Sequence, residues 1–130
     1  MTTSAYLDAS AIVKLVVQEP ESAALHRWYV EAQQLLTSRV GVVETLRASS
    51  RREHDPRHRA RIISDLEVLE FTPEVAAVAA TVGGPALRTL DAIHIATALA
   101  LLPDLDAFVT YDDRMAEAAR NLGLPVVRPA

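Results

Sequence analysis

The stretch YLDASAIVKL, residues 6–15, changes from an extended to a helical pattern on either side of one carboxylate. The apolar run Ala5–Leu7 predicts a short strand that ends at Asp8. Residues 9–17 predict a helix, and its apolar face carries Ile12, Leu15 and Val16. A strand that leads directly into a helix is the first half of a β-α unit, from which parallel sheets are built.

The same alternation of short apolar runs and helical patterns continues to the end of the chain. Further strands are predicted at Leu35–Ser38, Val68–Thr72, Ala107–Thr110 and Val126–Val127. Helices are predicted after Pro20, around residues 40–46, and at 57–66, 73–83, 90–102 and 112–122. This order predicts an α/β fold for a single domain, residues 1–130. The short parallel sheet would lie between two helical layers, as a three-layer α/β/α sandwich.

Local signals refine the predicted helices. Pro20 is predicted in the first turn of the second helix, where its missing N–H costs nothing. Thr89 is predicted as the N-cap of its helix. Gly41 disfavours the third helix by about 1 kcal/mol relative to alanine. Leu25, Trp28 and Tyr29 lie at helical spacing, which favours core or dimer contacts over base stacking.

Composition excludes several classes of protein. The chain has 130 residues, no cysteine, and 13 basic against 17 acidic residues, for a net charge of −4. The lack of cysteine excludes disulfide scaffolds, thiolate metal sites and cysteine nucleophiles. No apolar run is long enough to cross a bilayer and no signal peptide is visible, so we expect a cytoplasmic protein without membrane contact. At face value, the net charge disfavours a nucleic-acid partner.

Four acidic residues from distant parts of the chain are expected at one edge of the sheet. Asp8 and Asp112 each follow a predicted strand. Glu44 lies early in the helix after the second strand, and Asp91 lies in the first turn of its helix. Ligands of such folds bind beyond the carboxyl ends of the strands. Clustered carboxylates repel one another unless a cation separates them, and oxygen-only ligands favour Mg²⁺ or Mn²⁺.

Each of these acids also has a purely structural interpretation. Asp91 suits an acid that faces the dipole of its helix. Asp112 or its neighbour Asp113 suits a helix cap, and Asp8 suits a turn. Glu44, flanked by apolar residues, is harder to explain as a surface residue. The spacing of these acids is therefore compatible with two interpretations, a metal site and a set of ordinary helix ends.

Four motifs, in this order, resemble those of the PIN-domain nucleases. They are YLDASAIVKL with Asp8, SRVGVVETLRA with Glu44, LRTLDAIHIATAL with Asp91, and FVTYDDRMAEAARNLGLPVV with Asp112. The resemblance covers nearly the whole chain. The compact length and the LDAIHIATAL stretch are similar in particular to the VapC toxins of bacterial toxin–antitoxin pairs.

The resemblance implies a metal-dependent ribonuclease in which four acids hold one or two Mg²⁺ ions, with Mn²⁺ able to substitute. Carried over by motif, these acids are Asp8, Glu44, Asp91 and Asp112. Ser10 and Thr110 match hydroxyls near the first and last acids, which can hydrogen-bond a carboxylate or a metal-bound water. Asp113 competes with Asp112, although the Thr-Tyr-Asp order favours Asp112. The family implies a VapB-like antitoxin as partner and a homodimer.

The expected reaction is hydrolysis of a phosphodiester by metal-activated water, leaving a 5′-phosphate and a 3′-hydroxyl. Asp8, Asp91 and Asp112 would hold the metal. Glu44 would bind a second cation or position the water. The reaction does not need the 2′-hydroxyl, so the preference for RNA rests on the resemblance. His94 lies in an apolar helix and is expected to be packed and hydrogen-bonded rather than a ligand.

Six arginines between residues 47 and 61 give that window a net charge of +4. Because the window continues the helix of Glu44, we expect it to border the acidic site. The candidate contacts to RNA phosphates or to an acidic antitoxin segment are Arg47, Arg51, Arg52 and Arg57. The alternative is a solvated pair of helices.

Other functions agree less well with the residues. A phospho-receiver domain would need paired acids after the first strand and a late lysine, whereas Lys14 is the only lysine. A phosphatase of the DxDx(T) type would need an acid where Ser10 stands. A PIN-like binding module without catalysis is disfavoured because all four acids are present. A PIN nuclease outside a toxin–antitoxin pair remains open.

Overall fold

The computed structural model describes residues 3–130 of the chain. Within these residues it has five strands and seven helices. The strands are β1 (Ser4–Leu7), β2 (Gln34–Ser38), β3 (Glu67–Leu69), β4 (Ala107–Val109) and β5 (Val126–Val127). The helices are α1 (Ala9–Val16), α2 (Ser22–Glu31), α3 (Arg39–Ser50), α4 (Pro56–Ser64), α5 (Pro73–Ala79), α6 (Thr89–Leu99) and α7 (Asp113–Asn121).

The strands form one parallel sheet in the order β3-β2-β1-β4-β5. β1 lies at the centre, with Tyr6 opposite Leu36 of β2 and Phe108 of β4. The chain builds outward on one side through β2 and β3, and then on the other through β4 and β5. The strand order therefore reverses between β1 and β4, and their carboxyl ends flank the crevice in which such folds bind ligands.

Alternate residues of β1 enter two separate apolar clusters. Ala5 and Leu7 pack with buried residues of α1, α2 and α4. Tyr6 packs on the opposite face with buried residues of α6 and α7. Because successive side chains of a strand point to opposite faces, the sheet has a helical layer on each side. The predicted three-layer sandwich is confirmed, and Tyr29 is buried in the first cluster with Trp28 packed against it.

Two predicted helix starts are wrong. Thr89 is not an N-cap: its backbone is already helical, Arg88 is the capping residue, and that cap has no side-chain hydrogen bond. Pro20 is not in the first turn of α2, which begins at Ser22. The Ser22 hydroxyl accepts a hydrogen bond from the Glu19 N–H and donates one to the Val17 carbonyl. This turn delays the start of the helix.

A strand is predicted at Val68–Thr72. The observed strand, β3, is shorter and begins one residue earlier, at Glu67–Leu69. β3 pairs with β2 at the edge of the sheet. β2 ends at Ser38, opposite Leu69, and is followed directly by α3, so the pairing stops there. Thr72 instead caps α5, where its hydroxyl accepts a hydrogen bond from the Val75 N–H. In the described part of the chain, no helix is both long and apolar enough to cross a membrane.

Candidate active site

Asp8 lies at the carboxyl end of β1 and is only 3% exposed. It is the N-cap of α1, where Oδ1 accepts hydrogen bonds from the Ala11 N–H (3.0 Å) and the Ser10 hydroxyl (2.6 Å). Its second oxygen, Oδ2, accepts a hydrogen bond from the Thr110 hydroxyl at 2.6 Å. Burial raises the pKa of this carboxyl above its ordinary value, even though these hydrogen bonds act in the opposite direction.

Ser10 and Thr110 connect Asp8 to the end of β4. The Ser10 hydroxyl oxygen accepts a hydrogen bond from the Tyr111 N–H at 2.9 Å. The Thr110 hydroxyl oxygen accepts one from the Asp112 N–H at 3.1 Å. Both hydroxyls therefore bond to the carboxylate of Asp8 and, at the same time, to the backbone that carries Asp112. They fix the two strand ends relative to each other.

Asp91 and Asp112 are bridged by one guanidinium. Arg88 Nε lies 3.3 Å from Asp91 Oδ2, and Arg88 Nη2 lies 3.7 Å from Asp112 Oδ2. Burial is the main cause of a raised pKa at Asp91, and the negative charge of Asp112 raises it further. Arg88 opposes both effects. The two acids therefore repel each other, and Arg88 is their counter-charge.

Asp112 also caps a helix, as its structural interpretation expected. Its Oδ1 accepts hydrogen bonds from the backbone N–H groups of Arg114 and Met115 at the start of α7. Asp113 differs from it, since its side chain is 91% exposed and lies 2.6 Å from Arg128 Nη1. Arg128 Nε also donates to the Thr110 carbonyl. The two aspartates therefore differ in their contacts: Asp112 contacts Arg88, which also contacts Asp91, whereas Asp113 pairs with Arg128.

Glu44 lies on α3, at the wall of a cleft beside Ser10. Its Oε1 is 2.6 Å from Nε2 of His94, which is buried in α6. His94 is packed and hydrogen-bonded, as the apolar sequence around it predicts. Its partner, however, is the acid of another motif, and the sequence does not show that contact.

Two residues of the site were missed by sequence reasoning. Arg88 contacts both Asp91 and Asp112, and its position three residues before Asp91 is a spacing that could have indicated the first contact. Tyr6, whose hydroxyl contacts His94, is in the quoted first motif, but its alternation in β1 assigns it only to the core. Nothing in the local pattern indicates its polar partner.

The donors present suit a hard divalent cation. They are carboxylate oxygens, and Asp8 and Asp91 have raised pKa values because burial disfavours their charge. A divalent cation would relieve both the burial and the repulsion. Among residues 3–130, however, no three acidic or histidine side chains are arranged closely enough to hold a metal as they stand. Arg88 bridges two of the acids, and Glu44 is bonded to His94.

The cleft of about 790 Å³ lies between α1 and α3. Arginines line it next to Glu44, and those of the predicted contact set are Arg47, Arg51 and Arg52. Arg39 also lines it. Arg57 is exposed in the first turn of α4 and does not line this cleft. Arg59 has a structural contact, since its Nη1 donates to the hydroxyls of Ser49 and Ser50 near the end of α3.

Comparisons with known proteins identify the family of the chain. The family model of the PIN domain matches residues 5–121. The chain is 42% identical over 126 residues to ribonuclease VapC46 of Mycobacterium tuberculosis, covering 96% of this chain and 97% of that protein. It is 38% identical over 130 residues to ribonuclease VapC47 of the same species, covering 95% and 96%.

Solved structures show the same fold at lower identity. VapC20 of M. tuberculosis, a Sarcin-Ricin loop cleaving toxin, has a TM-score of 0.73 at 18% identity, over 97% of this chain and all of that one. A toxin–antitoxin complex from Klebsiella pneumoniae has a TM-score of 0.71 at 22% identity, over 98% of each chain. The chain therefore belongs to the PIN-domain family, and within it to the VapC ribonucleases. The resemblance seen in the motifs is confirmed.

Proposed function

We propose that this chain is a metal-dependent endoribonuclease and the toxin of a type II toxin–antitoxin pair. One connected set of contacts supports the chemistry most strongly. Asp8, a buried carboxylate at the reversal point of the sheet, is linked through the Thr110 hydroxyl to the backbone of Asp112, and Asp112 shares the guanidinium of Arg88 with Asp91. Structural helix ends alone do not require three acids at one crevice. Identity of about 40% to VapC ribonucleases supports RNA as the substrate.

In this proposal, Asp8, Asp91 and Asp112 hold a divalent cation, with Mg²⁺ as the ion and Mn²⁺ as its substitute. When bound, such an ion neutralises phosphate charge and lowers the pKa of a coordinated water. Ser10 and Thr110 keep the Asp8 carboxylate in place through their hydroxyls. Arg88 has to release Asp91 and Asp112 for their oxygens to bind a cation. The expected products carry a 5′-phosphate and a 3′-hydroxyl.

Glu44 has one of two roles in the proposal, as ligand of a second cation or as the group that positions the attacking water. Both roles use the same cleft wall, along which Arg47 and Arg51 are candidate contacts for RNA phosphates, while Arg39 is paired with Glu70. Binding of phosphates there would orient the backbone of the substrate relative to Asp8 and Glu44. The chemistry itself does not require a 2′-hydroxyl.

The proposed partners are a VapB-like antitoxin and a second copy of the chain. Solved neighbours of this fold include VapBC2 from Rickettsia felis bound to a DNA fragment from its promoter, at a TM-score of 0.70 and 12% identity. Together with the Klebsiella complex, it supports an antitoxin as the partner. An acidic antitoxin segment would find the arginines of the cleft as counter-charges.

Cleavage of defined RNAs tests the proposed chemistry. We expect cleavage with Mg²⁺ or Mn²⁺ and none with EDTA. Asp112→Asn should lose at least about 100-fold in rate, because it removes a charged ligand. The adjacent Asp113→Asn should remain close to wild type, since its carboxylate bonds to Arg128 instead. Cleavage in EDTA, or equal losses in the two variants, would contradict the proposal.

Expression of the chain without a partner tests its role as a toxin. The wild type is expected to arrest bacterial growth, and an Asp91→Asn form is not. Co-expression of its cognate VapB-like antitoxin should restore growth. If RNA cleavage occurs in vitro but wild type and variant are equally harmless in cells, a PIN nuclease outside a toxin–antitoxin pair becomes the better account.

A further inference from the structure

Both ring nitrogens of His94 are hydrogen-bonded, although its side chain is only 2% exposed. Nε2 lies 2.6 Å from Glu44 Oε1, and Nδ1 lies 2.7 Å from the Tyr6 hydroxyl. A neutral imidazole carries one N–H, and a carboxylate only accepts hydrogen bonds. In the neutral ring, Nε2 therefore carries the proton that is donated to Glu44, and the Tyr6 hydroxyl donates to Nδ1.

Tyr6 holds the far side of the imidazole. It is fully buried in β1, and its ring stacks on Phe108 of the neighbouring strand with centroids 5.4 Å apart and planes 4° apart. The Tyr6 and His94 rings meet edge to face, with centroids 5.8 Å apart. Packing and the hydrogen bond to Nδ1 together fix the orientation of the His94 ring.

Gly41 allows α3 to come close to this ring. It lies one turn before Glu44 on the same helix. A Cβ atom at this position would overlap the Thr37 hydroxyl and lie 3.2 Å from His94 Cε1. The absence of a side chain at residue 41 thus brings α3 against β2 and α6, which places Glu44 within hydrogen-bond distance of His94.

We propose that His94 is a positioning residue, which holds the Glu44 carboxylate in the orientation that the nuclease site requires. The Oε1 atom of Glu44 is bonded to His94, so Oε2 is the oxygen left for a ligand in the cleft that Glu44 lines. The carboxylate would otherwise move with three side-chain torsions. This inference rests on the proposed nuclease function, because it assigns a role to a neighbour of one of its acids.

Two substitutions separate positioning from simple packing. A glutamine at residue 94 can place an amide N–H near the position of Nε2, whereas an asparagine reaches only the position of Nδ1. For RNA cleavage we expect His94→Asn to lose roughly 10–100-fold, the usual effect of removing such a partner. His94→Gln should retain activity within a few-fold of wild type. If His94→Asn and His94→Gln lose the same cleavage activity, and the loss parallels their loss of thermal stability, the proposal is overturned.

A double-mutant cycle tests whether His94 acts through Glu44. In a Glu44→Gln background, His94→Asn should cost little further activity, because the group that it orients is already altered. Independent, multiplying losses in the double variant would contradict the proposal. His58→Asn is the matched control for loss of a histidine contact, since His58 Nε2 bonds to the Leu15 carbonyl away from the cleft and asparagine does not reach the position of Nε2.

Nuclear magnetic resonance of ¹⁵N-histidine-labelled protein tests the contact without any RNA. We expect a slowly exchanging proton on Nε2 of His94, whose signal shifts in Glu44→Gln and is lost in His94→Asn. An Nε2 atom without a proton, or a signal that does not respond to Glu44→Gln, would overturn the inference. If the wild type does not cleave RNA, the proposed function fails, while this spectrum still reports on the His94–Glu44 contact.

Discussion

At the scale of single residues, Asp8 is a buried carboxylate whose negative charge is only partly stabilised by its neighbours. Its carboxylate accepts three hydrogen bonds, yet burial keeps its pKa above the ordinary value. The hydrogen bonds therefore do not fully compensate for lost solvation of the charge. A divalent cation would supply the missing stabilisation, and so the energetic defect of the metal-free site agrees with its proposed use.

Replacing Asp8 by asparagine is expected to stabilise the metal-free protein and abolish cleavage. Because the folded-state pKa is raised, the folded chain binds this proton more strongly than the unfolded chain. The stability of the metal-free protein therefore falls as the pH rises from the pKa of Asp8 in the unfolded chain, about 4, through its pKa in the folded chain. Asp8→Asn should flatten that fall and raise the melting temperature at neutral pH.

Urea unfolding in EDTA at a series of pH values measures this effect. In Asp8→Asn, the dependence of the unfolding free energy on pH should be smaller than in the wild type but still present, because Asp91 also has a raised pKa. Added Mg²⁺ should stabilise the wild type, since the ion binds only to the folded site. It should not stabilise Asp8→Asn, in which one of the proposed charged ligands is missing. A variant that is less stable than wild type at neutral pH in EDTA would contradict the account.

At the scale of secondary-structure elements, the same acids serve as caps and as candidate ligands. Asp8 caps α1 and Asp112 caps α7, each through Oδ1. Oδ2 of each residue contacts another part of the site, the Thr110 hydroxyl and Arg88 respectively. The structural interpretation of the sequence as helix caps is therefore confirmed for these two residues, and the proposed function gives each carboxylate a second role as a ligand. A strand end followed by a helix start brings both roles to one carboxylate.

The order of strands and helices could be predicted because its signals are local, as in the change of pattern at Asp8. The contact between Glu44 and His94 could not, since it depends on how closely α3 approaches α6. Gly41 controls that approach, but in the sequence it is only a weak point in a helix. Likewise, the helix start at Ser22 depends on hydrogen bonds to Glu19 and Val17 that spacing does not reveal.

Gly41→Ala is expected to destabilise the protein despite the better helix propensity of alanine. Propensity favours alanine by about 1 kcal/mol, while overpacking a buried contact costs roughly 1–3 kcal/mol. The added Cβ would displace the Thr37 hydroxyl, which bonds to the Leu7 carbonyl. Urea unfolding should show a net loss, together with weaker RNA cleavage because Glu44 moves.

Removal of the overlapping hydroxyl provides the control for this prediction. In a Thr37→Ala background, Gly41→Ala should cost less than it does in the wild type, because the two groups no longer compete for space. An equal cost in both backgrounds would show that the close approach at Thr37 is not the cause. A stabilising Gly41→Ala would contradict the packing argument altogether.

At the scale of the whole molecule, the net charge of −4 hides two opposite features. Four of the seventeen acids belong to the candidate site, and the remaining thirteen match the thirteen basic residues. Arginines 39, 47, 51 and 52 line the cleft beside Glu44. The net charge of the whole chain is therefore a poor guide to a nucleic-acid partner. The local distribution of charged side chains, with arginines beside Glu44, suits the binding of a phosphate backbone at the candidate site.

Changing Arg51 and Arg52 together to alanine is expected to weaken RNA binding by a catalytically inactive Asp91→Asn protein. Each lost phosphate contact should lower the slope of log affinity against log salt by roughly 0.7. A pair of arginines that do not line the cleft, Arg27 and Arg120, is the matched control. An unchanged slope of log affinity against log salt would show that Arg51 and Arg52 do not contact RNA phosphates and belong to a solvated surface.

Calorimetric titration with Mn²⁺ shows whether Asp8, Asp91 and Asp112 form one cation site, as we propose. The wild type should bind the ion, Asp8→Asn and Asp91→Asn should not, and Arg88→Ala should bind it more tightly because the competing guanidinium is gone. Binding of equal strength in the wild type, Asp8→Asn and Asp91→Asn would contradict the claim.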